Sequence, residues 1–274
     1  MRKLAIVNMK GGVGKTTTAI HIAAGFANRG ARVLLVDVDP QGTIANTLRI
    51  RPDRTLADLV HGADLASVVL PDVRPNLSVV AATPTAFALE TQLAGAVQRE
   101  TLLARALRPL DAYDVLVLDT SPAMNLLTFN ALLCAEELII PIGMEPMAIV
   151  GARQTLDGIE QIRQLWPDRT LELKMVVPTS VNTNTHATRS TLETLGHDPR
   201  MAEYLFAPGI RQCLDLTYAT AAGQTIWEYA PRSRAAEDYN SLLDALTGVP
   251  AQADSSVSVP HHDHVDAEKT QAVL

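Results

Sequence analysis

Only two cysteines, Cys134 and Cys213, occur in the 274 residues. They lie far apart and lack the spacing of a metal site, so both are expected as buried thiols in a reducing compartment. Aromatic residues reach only 4%, which leaves the core to Leu, Val, Ile and Ala. A hydrophobic share of 47% is ample for a sheet covered on both faces. Basic excess is missing too. A net charge of −7 excludes a chain that coats nucleic acid by bulk charge, though not one with a local basic patch. No apolar run approaches the roughly 18 residues that a membrane-spanning helix needs. There is no internal repeat, and no charge run or Gly/Ser linker before residue 248. The opening Met-Arg-Lys-Leu-Ala-Ile-Val-Asn already reads as a strand, so no signal peptide is expected, and a cytoplasmic protein is.

What is present starts with residues 8–18, Asn-Met-Lys-Gly-Gly-Val-Gly-Lys-Thr-Thr-Thr. The apolar run Leu4–Val7 before it is short and β-favouring, as in a buried parallel strand. After it, Ile20, Ala23, Ala24 and Ala27 follow helical spacing. A glycine-rich turn between strand and helix is a phosphate cradle. Gly11, Gly12 and Gly14, with Val13 between them, let the backbone approach an anion closely. The helix N-terminus adds free N–H groups and partial positive charge. Lys15 is then placed to reach the β- and γ-phosphates of a nucleotide, and the Thr16 hydroxyl to sit on Mg²⁺. The ordinary pattern G-x-x-x-x-G-K-[ST] fails at its first position, which is Met9, and a second lysine, Lys10, opens the loop instead.

Two further strands end in acids. Val33-Leu34-Leu35-Val36 leads to Asp37-Val38-Asp39-Pro40-Gln41, and Val115-Leu116-Val117-Leu118 leads to Asp119. In an open α/β sheet, ligands bind beyond the carboxyl ends of the strands, so these acids are expected near the phosphates. Asp37 and Asp39 are two apart and share a face, so both are expected to point toward the metal and water, with a helix-cap or turn role as the lesser reading for Asp37. Asp119 has the Walker B arrangement, a carboxylate that supports Mg²⁺. More strands are expected at 79–81, 138–142 and 173–177, and helices at about 17–29, 86–107, 124–135, 148–165, 187–196 and 233–247. The alternation predicts an α/β fold, a doubly wound and mostly parallel sheet with helices on both faces. One domain is expected over residues 1–248. Residues 251–274 are small and polar, with four acids against one lysine, and read as a disordered tail. A metal on His261, His262 and His264 is a weaker reading than a solvated segment.

The loop resembles the deviant Walker A motif of the ParA/MinD ATPases, in which a signature lysine stands at the position of Lys10. Residues 1–48, 55–90, 119–142, 223–226 and 231–246 are similar to successive parts of a small ParA/Soj-type protein. The resemblance implies an ATP-dependent homodimer. In it Thr17 contacts the α-phosphate, Thr16, Asp39 and Asp119 support Mg²⁺, and Asp39 activates the attacking water. Lys10 acts on the partner's nucleotide, Thr179 and Pro208 lie at the adenine, and Arg211 binds DNA. It also implies nonspecific double-stranded DNA and a ParB-like protein as partners, with the protein associated with the nucleoid. Ser121, Gln224 and the arginine-poor stretch 182–188 depart from the family pattern, and the last two thin the basic surface.

Other readings differ in identifiable ways. A ParA-like positioner of another cargo, such as a chemotaxis cluster or a microcompartment, would share every catalytic residue. A MinD-like membrane ATPase ends in a basic amphipathic helix, which the acidic tail does not provide. An iron–sulfur reductase with this loop needs glycine-rich contexts around two cysteine ligands, and Cys134 and Cys213 lack them.

Overall fold

The computed structural model describes residues 1–248 apart from Pro109 and Pro208. The expected tail at 251–274 and the adenine assignment of Pro208 lie outside the described residues. Seven strands form one sheet in the order β3-β4-β2-β5-β1-β6-β7. They are β1 (Arg2–Ile6), β2 (Val33–Asp37), β3 (Leu70–Arg74), β4 (Leu77–Val80), β5 (Val115–Asp119), β6 (Glu137–Gly143) and β7 (Glu172–Thr179). All pairs are parallel except β3 with β4.

Successive strand residues face opposite ways, and the core divides accordingly. Ala5, Leu34, Val36, Leu116 and Leu118 point into one apolar layer. Leu4, Ile6, Leu35 and Val117 point into the other. The first layer is covered mainly by α3 (Leu56–Val60), α4 (Leu65–Val68), α5 (Leu89–Leu93), α6 (Leu102–Ala106), α7 (Leu126–Cys134), α8 (Pro146–Leu165) and α9 (His186–His197). The second is covered by α1 (Lys15–Asn28), α2 (Thr43–Leu48), α10 (Leu214–Ala222), α11 (Ile226–Tyr229) and α12 (Arg234–Thr247).

Two expectations are corrected. The single helix over 86–107 is a 3₁₀ turn at Pro84–Ala88, then α5, a second 3₁₀ turn at Arg99–Thr101, and α6. The break lies where Gly95 precedes Gln98, whose φ of 55° no helix accepts. The fourth strand begins at Leu77 rather than Val79 and pairs with the unforeseen β3, an edge strand that tolerates Pro71 because its outer side needs no ladder bond.

Candidate functional site

Strands β1, β2 and β5 stop at one level, and residues 8–14 turn over their ends. Gly12 and Gly14 hold φ of 75° and 84°, the left-handed region that L side chains resist. Where a Cβ would stand on Gly11 or Gly12, there is nothing within 4 Å, so the loop is open on that side. Gly14 leads into α1 with no side chain capping the helix, so the helix end is free to receive an anion. The rest of the fold pins the loop from outside. Asn8, fully buried, donates from Nδ2 to the Pro141 carbonyl (2.7 Å) and accepts the Lys10 N–H on Oδ1 (2.9 Å). The Met9 N–H donates to Thr155 Oγ1 (2.9 Å). The Thr179 hydroxyl donates to the Val13 carbonyl (2.9 Å).

Lys15 opens α1, is 7% exposed, and donates from Nζ across the loop to the Lys10 carbonyl (2.9 Å). Burial lowers its pKa, and the nearby charges of Asp119 and Asp39 pull it back up. The β2–β5 register sets Asp37 beside Asp119. Asp37 takes the turn role: its oxygens accept the Asp39 and Ile44 N–H groups (3.1 Å each), the latter in the first turn of α2. Burial and the Asp119 charge still raise its pKa well above the ordinary value. Asp39, 8% exposed, accepts the Gln41 N–H on Oδ1 (2.9 Å).

Asp119 is 0% exposed, and neither oxygen has a hydrogen-bond partner among the described residues. Burial pushes its pKa up to about 7. The Thr16 hydroxyl and Lys15 favour the charged form, and Asp39 opposes it. A buried carboxylate with the Thr16 hydroxyl close by but no well-formed hydrogen bond to either oxygen suits a divalent cation that arrives with its own phosphate and water ligands. Among the described residues no group of three or more His, Cys, Asp or Glu could hold a metal alone.

Lys10 turns away from this centre. Its Nζ is 2.6 Å from Glu145, whose side chain is 74% exposed. Thr16 and Thr17 follow Lys15 in the first turn of α1, so Lys15, Thr16, Thr17, Asp39 and Asp119 share one centre and Lys10 stands at its outer rim.

From Gly12 and Gly14 a cavity of 420 Å³ runs toward α10, walled by Thr179, Cys213, Leu216 and Tyr239. This volume suits a nucleoside. Thr179 is on its wall at the loop itself. Cys213 is half-buried, not buried as expected, whereas Cys134 is buried and its thiol is pushed up to about 11. A larger cavity of 1010 Å³ opens at the other end of the strands, beside Arg2 and Glu137, away from the loop.

Arg211 is tied into the fold. Its guanidinium lies 2.7 Å from Asp238, which is 6% exposed, and 3.1 Å from Glu237, so the cation is neutralised within the fold. Arg200 is likewise paired with Asp157 (2.7 Å). Sequence reasoning missed Glu145 and Thr155. Glu145 lies just past β6, where the strand-end rule that found Asp119 would have pointed; nothing local marks Thr155.

A family described as an AAA domain matches residues 1–173. The chain is 35% identical over 246 residues to the chromosome-partitioning ATPase Soj of Thermus thermophilus, covering 90% of this chain and 95% of that protein. It is 34% identical over 244 residues to the sporulation initiation inhibitor protein Soj of Bacillus subtilis, covering 87% and 95%. Among solved structures, the cobyrinic acid a,c-diamide synthase of Mycobacterium smegmatis with a bound ATP analogue and magnesium superimposes with a TM-score of 0.77 at 30% identity. That match covers 90% of this chain and 94% of that one. The loop, the acids at the strand ends and these likenesses agree: the chain belongs to the ParA/Soj-type partitioning ATPases.

Proposed function

We propose that this chain is an Mg²⁺-dependent ATPase that dimerises around ATP and partitions plasmid or chromosomal DNA through nucleotide-switched, nonspecific DNA binding. A ParB-like partner stimulates turnover, and the working place is the cytoplasm, on the nucleoid. The loop amides of residues 11–14 and the open end of α1 hold the phosphates. Lys15 neutralises the β- and γ-phosphates, and Thr17 contacts the α-phosphate. Thr16 and Asp119, with Asp39 at their side, hold Mg²⁺, which when bound neutralises charge on the phosphates. Asp39 orients the attacking water and accepts its proton. The nucleoside occupies the cavity beside Thr179.

One observation carries the dimer reading. Lys15 fills the cradle, while Lys10 holds its charge outward on Glu145. A loose phosphoryl transition state needs a further cation, and Lys10 offers one to a second subunit rather than to its own. DNA contacts fall on Arg189, Arg232 and Arg234, which are exposed and make no ion pair among the described residues. Arg211 organises the face between them.

Two substitutions test this. Lys10→Ala is expected to bind ATP and remain monomeric, because it removes a contact across the interface. Asp39→Ala is expected to bind ATP, dimerise and not turn over. Light scattering with ATP reads the first property and phosphate release the second. Normal ATP-driven dimerisation of Lys10→Ala would remove the in-trans role.

A further inference from the structure

Helix α8 runs beside the entrance of the phosphate loop and touches it through three residues. Glu145 precedes the helix and meets the Lys10 ammonium. Gly151 lies under Lys10: a Cβ there would stand 2.9 Å from Lys10 Cβ and 3.2 Å from Asn8 Oδ1. One turn later comes Thr155, 0% exposed. Its hydroxyl donates back to the Gly151 carbonyl (2.8 Å), the habit of a threonine inside a helix. The same oxygen also accepts the Met9 N–H from outside the helix (2.9 Å). The next amide, that of Lys10, is fixed by Asn8. Both amides leading into the Lys10 side chain are therefore anchored, one by Asn8, itself tied to the Pro141 carbonyl of β6, and one by α8.

We propose that Thr155 is a positioning residue for Lys10. It sets the height of the loop entrance against α8, so that the Lys10 ammonium is presented at the rim rather than folded into its own cradle. This rests on the reading of Lys10 as the lysine used by the partner subunit. An apolar side chain at 155 leaves the Met9 N–H without its acceptor, and the entrance is free to settle elsewhere. Lys15 is rooted in α1, and its link to the entrance, the Nζ bond to the Lys10 carbonyl (2.9 Å), is given up when the ammonium turns to the phosphates.

The test is Thr155→Val, which keeps the branched shape and drops the acceptor, with Thr155→Ser, which keeps the hydroxyl. The expected result for Thr155→Val is a fall of about tenfold in kcat for phosphate release, the rate equivalent of one buried hydrogen bond. ATP-driven dimerisation should move to higher protein concentration. Affinity of the monomer for Mg-ATP should stay within about twofold, because only an interaction used later has been removed. Thr155→Ser should recover turnover. Wild-type turnover in Thr155→Val overturns the proposal. So does an equal loss of ATP affinity and kcat that serine does not rescue, because Thr155 would then support the loop as a whole. If the valine variant does not fold, Thr155→Ala, with space for a water at the Met9 N–H, is judged by the same split between kcat and affinity. Lys10→Ala separates the two levels: inactive Lys10→Ala with normal Thr155→Val defeats this inference alone, and fully active Lys10→Ala defeats the reading beneath it.

Discussion

At the scale of single residues, Asp119 has the sharpest consequence. Its pKa is raised from 3.8 to about 7, chiefly by burial. The folded chain therefore keeps a proton that the unfolded chain loses, and the stability from this group is full below the unfolded value and lost as pH rises through about 7. Divalent binding reverses the demand, because it needs the carboxylate and expels the proton. Mg-ATP should thus raise the melting temperature more at about pH 8 than at about pH 6. Asp119→Asn removes both effects. Without nucleotide it should be at least as stable as the parent at the higher pH, and Mg²⁺ should add little to the stabilisation that ATP gives it. Thermal unfolding at the two pH values with ATP, with and without Mg²⁺, decides this. An unchanged Mg²⁺ increment in Asp119→Asn would take Asp119 out of the metal site. Lys15 and Asp119 were legible in the sequence because a local pattern fixes each, a glycine turn for one and an apolar strand for the other. The ion pairs of Arg211 were not, because the carboxylates that hold it come from α12, 26 and 27 residues along the chain.

At the scale of elements, α1 ties the phosphate loop to the rest of the molecule through close packing. It lies against α12, and at Gly25 a Cβ would come 2.1 Å from Leu243 Cδ1 and 3.0 Å from the Trp227 ring. Alanine at this position gains about 1 kcal/mol of helix propensity, but the forced repacking costs about 1–3 kcal/mol. Gly25→Ala should therefore leave stability unchanged or lower it by up to about 2 kcal/mol in urea unfolding. A gain approaching the full helix-propensity increment would mean that α12 is not seated on α1 as described. His21, one turn earlier, stitches the same layer: Nδ1 bonds the Thr17 carbonyl (2.7 Å), Nε2 accepts the Ile226 N–H (3.0 Å), and burial lowers its pKa to about 4. The long alternating elements could be read from periodicity, since each buries a whole face. The broken segment 84–106 could not. Its apolar residues satisfy a helical period on paper, and only the left-handed Gln98 and the docking of two short helices on α7 interrupt it. Edge strand β3 was hidden for the opposite reason: half of it faces solvent, so its composition carries little apolar signal.

At the scale of the whole molecule, an acidic chain that holds DNA must concentrate its few unneutralised cations and then multiply them. Many arginines are spent internally; Arg153, Arg200 and Arg211 all pair with carboxylates. On the face around Arg211, Arg189, Arg232 and Arg234 make no ion pair among the described residues, too few in one subunit for firm binding to a duplex. The ATP-bound dimer proposed above would double them on one surface. Because each phosphate contact contributes about 0.9 to the slope of log affinity against log salt, dimerisation should steepen the salt dependence as well as raise the affinity. The expectation is a shift of any duplex at low salt with ATP and Mg²⁺, and none with ADP. Arg232→Glu with Arg234→Glu should abolish the shift and spare ATP-driven dimerisation, since neither residue lines the nucleotide cavity. Arg211→Glu should behave differently. It sets a third carboxylate against Asp238 and Glu237, one of them buried, and should lower thermal stability before it touches DNA affinity. Electrophoretic shifts across a salt series, read beside melting curves, separate the two. Loss of DNA binding in Arg211→Glu at unchanged stability would return the contact to Arg211, and an ATP-dependent shift that survives loss of Arg232 and Arg234 would move the DNA face to another side of the dimer.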